Sequence, residues 1–168
     1  MLHSDDFYSN RNALNLVDSF FKKNKNIDAV YSNVVFVDRS NKKIVKRIFN
    51  SRQLSYADFL KGVHPPHTSL FLKKKIYRKY TNYKTSYKIA ADFEFMLRIF
   101  GILRVRSKYL NKTILNMRTG GVSTKSVQNI IASNIEVFKS LRFHNINFKF
   151  YYIILKILRK IRQIKLLN

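Results

Sequence analysis

The chain has no cysteine and no tryptophan, only two prolines and four glycines, and nine acidic residues against thirty-three Lys and Arg. Each scarcity excludes something. Without cysteine there are no disulfides, no thiolate metal sites and no cysteine nucleophile, and the redox compartment stays undecided. So few glycines argue against a collagen-like or linker-rich chain. Long hydrophobic runs are also missing. The longest, FYYIIL at 150–155, falls far short of the roughly 20 residues that a membrane-spanning helix needs. The first residues, MLHSDDFYSN, have no apolar run after a basic stretch, so no signal peptide is expected.

What is present is a chain of 168 residues, of which 46% are apolar. That is enough for one domain with a real core and too much for a disordered polymer. The net charge is +24. Such a field attracts polyanions, anionic lipid surfaces and phosphorylated substrates, although a Lys- and Asn-rich compositional bias accounts for part of it. Because acidic residues are few, their placement is informative. Asp5 and Asp6 are adjacent, and Asp92 and Glu94 stand in an otherwise apolar segment.

Periodicity gives a coarse order of elements. Residues 11–22 read as a helix with Leu16, Phe20 and Ala13 on one face. Residues 27–38, rich in Val, Tyr and Phe, read as a strand, 38–43 as a turn, and 44–49 as a returning strand of a hairpin. A short helix is expected over 55–61, capped by Ser55 with Asp58 three residues on and ended by Gly62. Pro65 and Pro66 make the next stretch rigid and extended. TSLFL then reads as a strand, KKKIYRKY as a short basic helix and 81–87 as a loop. Residues 89–100 form a strongly apolar helix candidate, in which Glu94 stands four before Arg98 and can pair with it. One or two strand pieces follow over 103–118, then a helix running through 129–143, capped by Ser126 or Thr124. The final stretch predicts a basic amphipathic helix at 146–168, with Lys156, Arg159, Lys160 and Gln163 on one side and Ile154, Leu155, Leu158 and Ile161 on the other. It fits an anionic bilayer surface as well as it fits a packed terminal helix with a solvated basic face.

Several constellations can carry chemistry. Adjacent carboxylates ahead of a helix, as in Ser4-Asp5-Asp6, hold a divalent cation, or simply cap the helix. Asp92, flanked by Ala90, Ala91, Phe93 and Phe95, is expected to be partly desolvated, with a pKa raised toward that of a general base; the alternative is a helix cap. His64 and His67 flank the prolines on a rigid loop and suit substrate contacts, or are ordinary loop residues. Gly120 and Gly121 close the backbone over a ligand, or make a turn.

Taken in order, the segments SDDFY (4–8), DAVYSNVVFVD (28–38), HPPHTSLFLKKKIYRKY (64–80), TSYKIAADFEFMLRI (85–99) and NMRTGGVSTKS (116–126) resemble the C-terminal part of the family 2 glycosyltransferases of bacterial surface-polysaccharide biosynthesis. The resemblance implies an α/β chain with an incomplete GT-A (nucleotide-diphospho-sugar transferase) fold. This would be a mixed sheet with flanking helices over 1–145, followed by the basic helical tail. It implies transfer of a sugar from a nucleotide-sugar donor to a saccharide or lipid-linked acceptor, with inversion. Asp5 and Asp6 take the place of the motif that holds the metal (Mg2+ or Mn2+) and the sugar nucleotide, with Asp6 the more direct ligand. Asp92 takes the place of the general base, and Glu94 that of a supporting residue. His67 lines the cleft, while Arg118 with Gly120 and Gly121 resembles the loop near the diphosphate.

In the family a nucleotide-binding half precedes the Asp pair, whereas only MLH stands before SDD here. The resemblance therefore implies a chain that is inactive alone or dependent on a missing half, with an exposed apolar sheet edge where that half would join. The location expected is the cytoplasm, peripheral to the inner face of the cytoplasmic membrane. Two other readings compete. A nucleic-acid-binding module suits the charge and the aromatics, but the basic residues are scattered and follow no nucleic-acid-binding pattern, so no specific nucleic acid is expected as a partner. A membrane-surface scaffold without catalysis would use the tail.

Overall fold

The computed structural model describes residues 6–61, 63–80, 83–120 and 126–146. The expected tail helix at 146–168, Asp5, Gly62, Gly121 and Thr124 lie outside them, apart from Ile146. The chain is α/β, with a mixed sheet and flanking helices. In order it forms β1 (Asp6–Tyr8), α1 (Ala13–Lys23), β2 (Ala29–Val37), β3 (Val45–Phe49), α2 (Tyr56–Leu60), a 3-10 turn (His67–Ser69), β4 (Phe71–Leu72), α3 (Lys74–Tyr80), α4 (Ala91–Met96), a π-helical turn (Leu97–Ile102), β5 (Ser107–Arg118) and α5 (Val127–Phe143).

β2 is the centre of the sheet. Its VYSNVVFV run is β-branched and aromatic, which suits a pleated buried surface, and Ala29 to Asn33 are all buried. One edge of β2 pairs in parallel with β5. The other edge is shared, with β4 pairing antiparallel at Ala29–Val30 and β3 at Val34–Val37. β1 lies antiparallel on the far side of β5, with Asp6 opposite Met117. Side chains alternate across the strand. Ala29 and Tyr31 join a core cluster with Leu54, Phe59, Phe95, Met96, Ile99 and Phe100. Val30 joins Ala13 and Val17 of α1 with Leu110 and Ile114 on the opposite face.

Local signals hold where the sequence carries its own hydrogen-bond chemistry. Asp38 Oδ1 accepts from Ser40 N, Ser40 Oγ and Asn41 N and so makes the hairpin turn. Ser55 and Asp58 form a reciprocal capping box, and Ser126 Oγ accepts from Asn129 N at the start of α5. Four expectations change. Leu16 is exposed on α1, and Val17 takes the core position beside Ala13. TSLFL is not one strand but a 3-10 turn followed by the two residues of β4. The pieces at 103–118 make a single strand, whose pairing with β2 is irregular around Ser32–Val34. Asp6 begins a strand instead of preceding a helix directly.

The outer edge of β5 is closed by a side chain. Arg106 O accepts from Ala29 N on the β2 side, so Ser107 and Tyr109 direct their backbone groups away from β2. Gln53 Nε2 donates to Ser107 O at 3.3 Å and Gln53 Oε1 accepts from Tyr109 N at 2.9 Å. One amide thus does the work of a short neighbouring strand.

The loop that carries Gln53 is fastened by Tyr31. The fully buried Tyr31 hydroxyl accepts from Leu54 N at 2.8 Å and donates to Arg52 O at 3.1 Å. Burial pushes this phenol up to about 12. Tyr31→Phe leaves the buried Leu54 N–H without its acceptor and should cost roughly 1–3 kcal/mol, read from the urea midpoint. Tyr109→Phe, at a half-buried hydroxyl, should cost less. Equal losses would mean that the buried bond is not what holds the loop.

Candidate functional site

Three pieces of local structure converge on one cavity. The first is the meeting of β1 and β5. The register Asp6↔Met117 places the start of one strand against the end of the other, where Arg118 is the last residue of β5. The second is the 3-10 turn. Ser69 Oγ accepts from Ser32 N at 3.2 Å and donates to Ser32 O at 3.0 Å, with Pro66 O as an alternative acceptor at 3.0 Å. This buried hydroxyl locks the turn onto β2 and fixes His67 two residues earlier. The third is the first turn of α4, which supplies Asp92.

The cavity has a volume of about 1060 Å³. It is lined by Asp6, His67, Asp92 and Arg118 among others, so four of the sequence-predicted site residues border one cavity. Val17 and Phe21 of α1, and Phe95 and Met96 of α4, add apolar lining. Tyr77, Tyr83, Tyr87, Lys84 and Lys88 also line it, and sequence reasoning missed them. Their segment reads only as a basic helix and a loop, and its alternation of Tyr and Lys was the available signal.

His67 Nδ1 lies 2.9 Å from Asp92 Oδ2. An ionised carboxylate only accepts, so His67 Nδ1–H is the donor. Asp92 Oδ1 accepts from Phe93 N at 2.8 Å. The expectation of a raised pKa for Asp92 is overturned. Burial does push the carboxyl up, but the bond from His67 and the nearby charges of His67 and His64 outweigh it, and the net value falls to about 2. Asp92 is an ionised, oriented carboxylate at neutral pH.

The other predicted residues separate from this group. Glu94 is fully buried and does not line the cavity. It takes Arg98 Nε at 3.0 Å and Nη2 at 3.2 Å, His144 Nε2 at 3.0 Å and Lys84 Nζ at 3.7 Å. The helical pair with Arg98 is thus present, and its setting ties α4 to the end of α5 instead of facing a ligand. Burial raises its pKa and the bonds from Arg98 and His144 more than reverse that. His64 meets the edge of the Phe93 ring, 5.4 Å between centroids, and its Nδ1–H donates to Pro65 O at 3.0 Å. Gly120 has φ +98°, a left-handed conformation that favours glycine, and it makes the turn after β5 outside the cavity lining. Asp5 and Gly121 fall outside the described residues.

Among the described residues, no group of three or more His, Asp or Glu side chains could hold a metal ion. Asp6 offers one carboxylate at the cavity wall, which is not by itself a metal site. Among the described residues, too, no helix is long and apolar enough to cross a membrane. No protein-family model matches the chain, and no curated protein matches it either.

The Asp92–His67 pair predicts an acid-sensitive site. A carboxyl whose pKa falls on folding contributes its full stabilisation above its unfolded value and loses it as pH drops through the folded value. For Asp92 that window runs from the ordinary 3.8 down to about 2, a contribution on the order of 2 kcal/mol. Asp92→Asn should therefore destabilise by that order at neutral pH, and its penalty should vanish by pH ~2. A penalty independent of pH, read from paired denaturation curves, would show that the ion pair is not its source.

Proposed function

We propose that the chain is part of a nucleotide-sugar glycosyltransferase of GT-A type, carrying the acceptor side and the edge of the diphosphate site. The observation that carries this reading is the convergence of Asp6, His67, Asp92 and Arg118, from four separate stretches of sequence, on one cavity. The α/β class with a mixed sheet supports it at the coarser level.

On this reading Asp92 accepts the proton of the acceptor hydroxyl, and His67 holds the carboxylate in the orientation that does so. A single activated nucleophile displacing the nucleoside diphosphate directly inverts the anomeric centre. Arg118 stabilises charge on the departing diphosphate. The cavity's apolar lining and its tyrosines suit a saccharide or lipid-linked acceptor. A divalent cation (Mg2+ or Mn2+) at Asp5 and Asp6 would neutralise the diphosphate when bound. The nucleoside itself falls to a nucleotide-binding half that the resemblance places ahead of Asp5.

An anionic membrane surface accompanies the reading as a second partner, at the inner face of the cytoplasmic membrane. α5 leaves Val127 72%, Ile131 55%, Ile135 50% and Phe138 45% exposed along one stripe. Residues 147–168 add six Lys and Arg and no acidic residue. A helix with an apolar stripe beside a basic segment binds anionic headgroups.

Three experiments test these points. With a panel of nucleotide sugars and Mn2+, the chain alone should turn over negligibly, and adding a nucleotide-binding half should produce transfer that Asp92→Asn abolishes. Turnover by the chain alone that Asp92→Asn abolishes would overturn the dependence. Salt-sensitive binding of random single-stranded DNA with no response to any nucleotide sugar would favour a nucleic-acid module instead. For the membrane, the full chain should sediment with phosphatidylglycerol vesicles and not with phosphatidylcholine ones. Ile131→Asp with Ile135→Asp should release it, and unchanged sedimentation would remove α5 from the contact.

A further inference from the structure

Immediately ahead of Asp92, three successive backbone amides converge on a carboxylate from another element. Lys88 N, Ile89 N and Ala90 N donate to Glu136 of α5 at 2.9, 2.8 and 2.7 Å. Consecutive N–H groups pointing the same way make a concavity for an anion. Here the anion belongs to the protein. Bonds to an ionised acceptor are roughly twice as strong as neutral ones, and three on one carboxylate fix the backbone that bears them. Burial raises the Glu136 pKa, but these amides and the Lys139 charge take it below its ordinary value, so it is ionised at neutral pH.

Glu136 acts from behind the site. Lys88, Ile89, Ala91 and Asp92 line the cavity and Glu136 does not. Segment 83–90 has no helix or strand; Tyr87 N bonds Lys84 O within it, while the amides of 88–90 take their partner from α5. Apolar contact already joins α4 to α5 through Ala90, Phe93, Leu97, Val137 and Leu141. The carboxylate adds what that contact lacks, a direction for the backbone that enters α4.

We propose that Glu136 is a positioning residue: by clamping the amides of residues 88–90 it sets where Asp92 stands relative to His67. Its importance to catalysis rests on the transferase reading, whereas its effect on the Asp92–His67 pair does not.

The test is NMR of the full chain at neutral pH without nucleotide sugar, so failure of the transferase reading leaves the result untouched. Two signals are followed, the His67 Nδ1 proton held by Asp92 and the hydrogen exchange of amides 88–90. Asp92→Ala supplies the spectrum of a broken pair. In Glu136→Ala the His67 proton signal should be lost, and exchange at 88–90 should rise on the order of tenfold or more, the equivalent of losing a hydrogen bond. Glu136→Gln keeps one acceptor oxygen and should fall between, and it carries the test if Glu136→Ala does not fold. Val137→Ala weakens the same helix contact while leaving the clamp, and should keep both signals. A His67 signal retained in Glu136→Gln and Glu136→Ala, or lost equally in Val137→Ala, would overturn the proposal.

Discussion

The parallel pairing of β2 with β5 joins segments more than seventy positions apart in the sequence, and the site is assembled around it. With β5 on one edge and both β4 and β3 on the other, β2 spends its backbone hydrogen bonds inside the sheet. That lets an almost wholly buried strand exist without stranding polar groups. The same pairing aligns Val37 with Arg118, and β1 then lays Asp6 beside the end of β5. Ser69 uses the backbone of Ser32 to fasten the turn that holds His67. If β2 slipped against β5 by one residue, its side chains would exchange faces, and Arg118 and His67 would shift relative to each other.

Scarce carboxylates do the second layer of work. Against a charge of +24, an acidic group has no shortage of cations, and several of the described ones are placed at joints. Asp28 takes Lys75 at 2.9 Å and Lys73 at 3.6 Å where α3 begins. Asp58 holds Arg52 beside the loop that caps β5. Glu94 gathers Arg98, His144 and Lys84, and Glu136 gathers three amides. The last two both tie α4 to α5, Glu94 through His144 and Glu136 through the amides just ahead of α4. An acidic residue near the site is therefore not by that fact a ligand, since Asp92 reaches the cavity wall and Glu94, two residues on, does not.

The elements that sequence made legible are those whose signals are local. The hairpin turn at Asp38, the capping box at Ser55 and the cap at Ser126 each need only residues within three positions. The pair Glu94–Arg98 follows from helical spacing alone. Rotation of α1 was not legible, because Leu16 and Val17 are equally apolar and only the packing on Val30 and Ile114 selects Val17. The break in TSLFL was hidden for a similar reason, since Ser69 turns to Ser32 on a strand far upstream. At the site, the grouping of Asp6, His67, Asp92 and Arg118 came from a resemblance, and no spacing in the chain implies it. The state of Asp92 is not legible because the burial its apolar neighbours imply is present but is outweighed by His67, a partner from a distant stretch of sequence. Glu136 left no trace, as its partners are backbone amides and carry no residue signature.

The lowered pKa of Asp92 has a consequence for how such a site would work. A carboxylate near 2 is always ionised under working conditions but is a weak base toward a neutral alcohol. It cannot remove the hydroxyl proton before bond formation begins. On the transferase reading, that proton would become acidic only as the oxygen commits its electrons to the anomeric carbon, so transfer to Asp92 would come late in the displacement. On the same reading, Arg118 would be the group that meets the charge of the departing diphosphate. A fixed Asp92 suits that order. On that reading its task would be to stand in line when the proton is released, which is a matter of position, and His67 and Phe93 N hold the carboxylate in place.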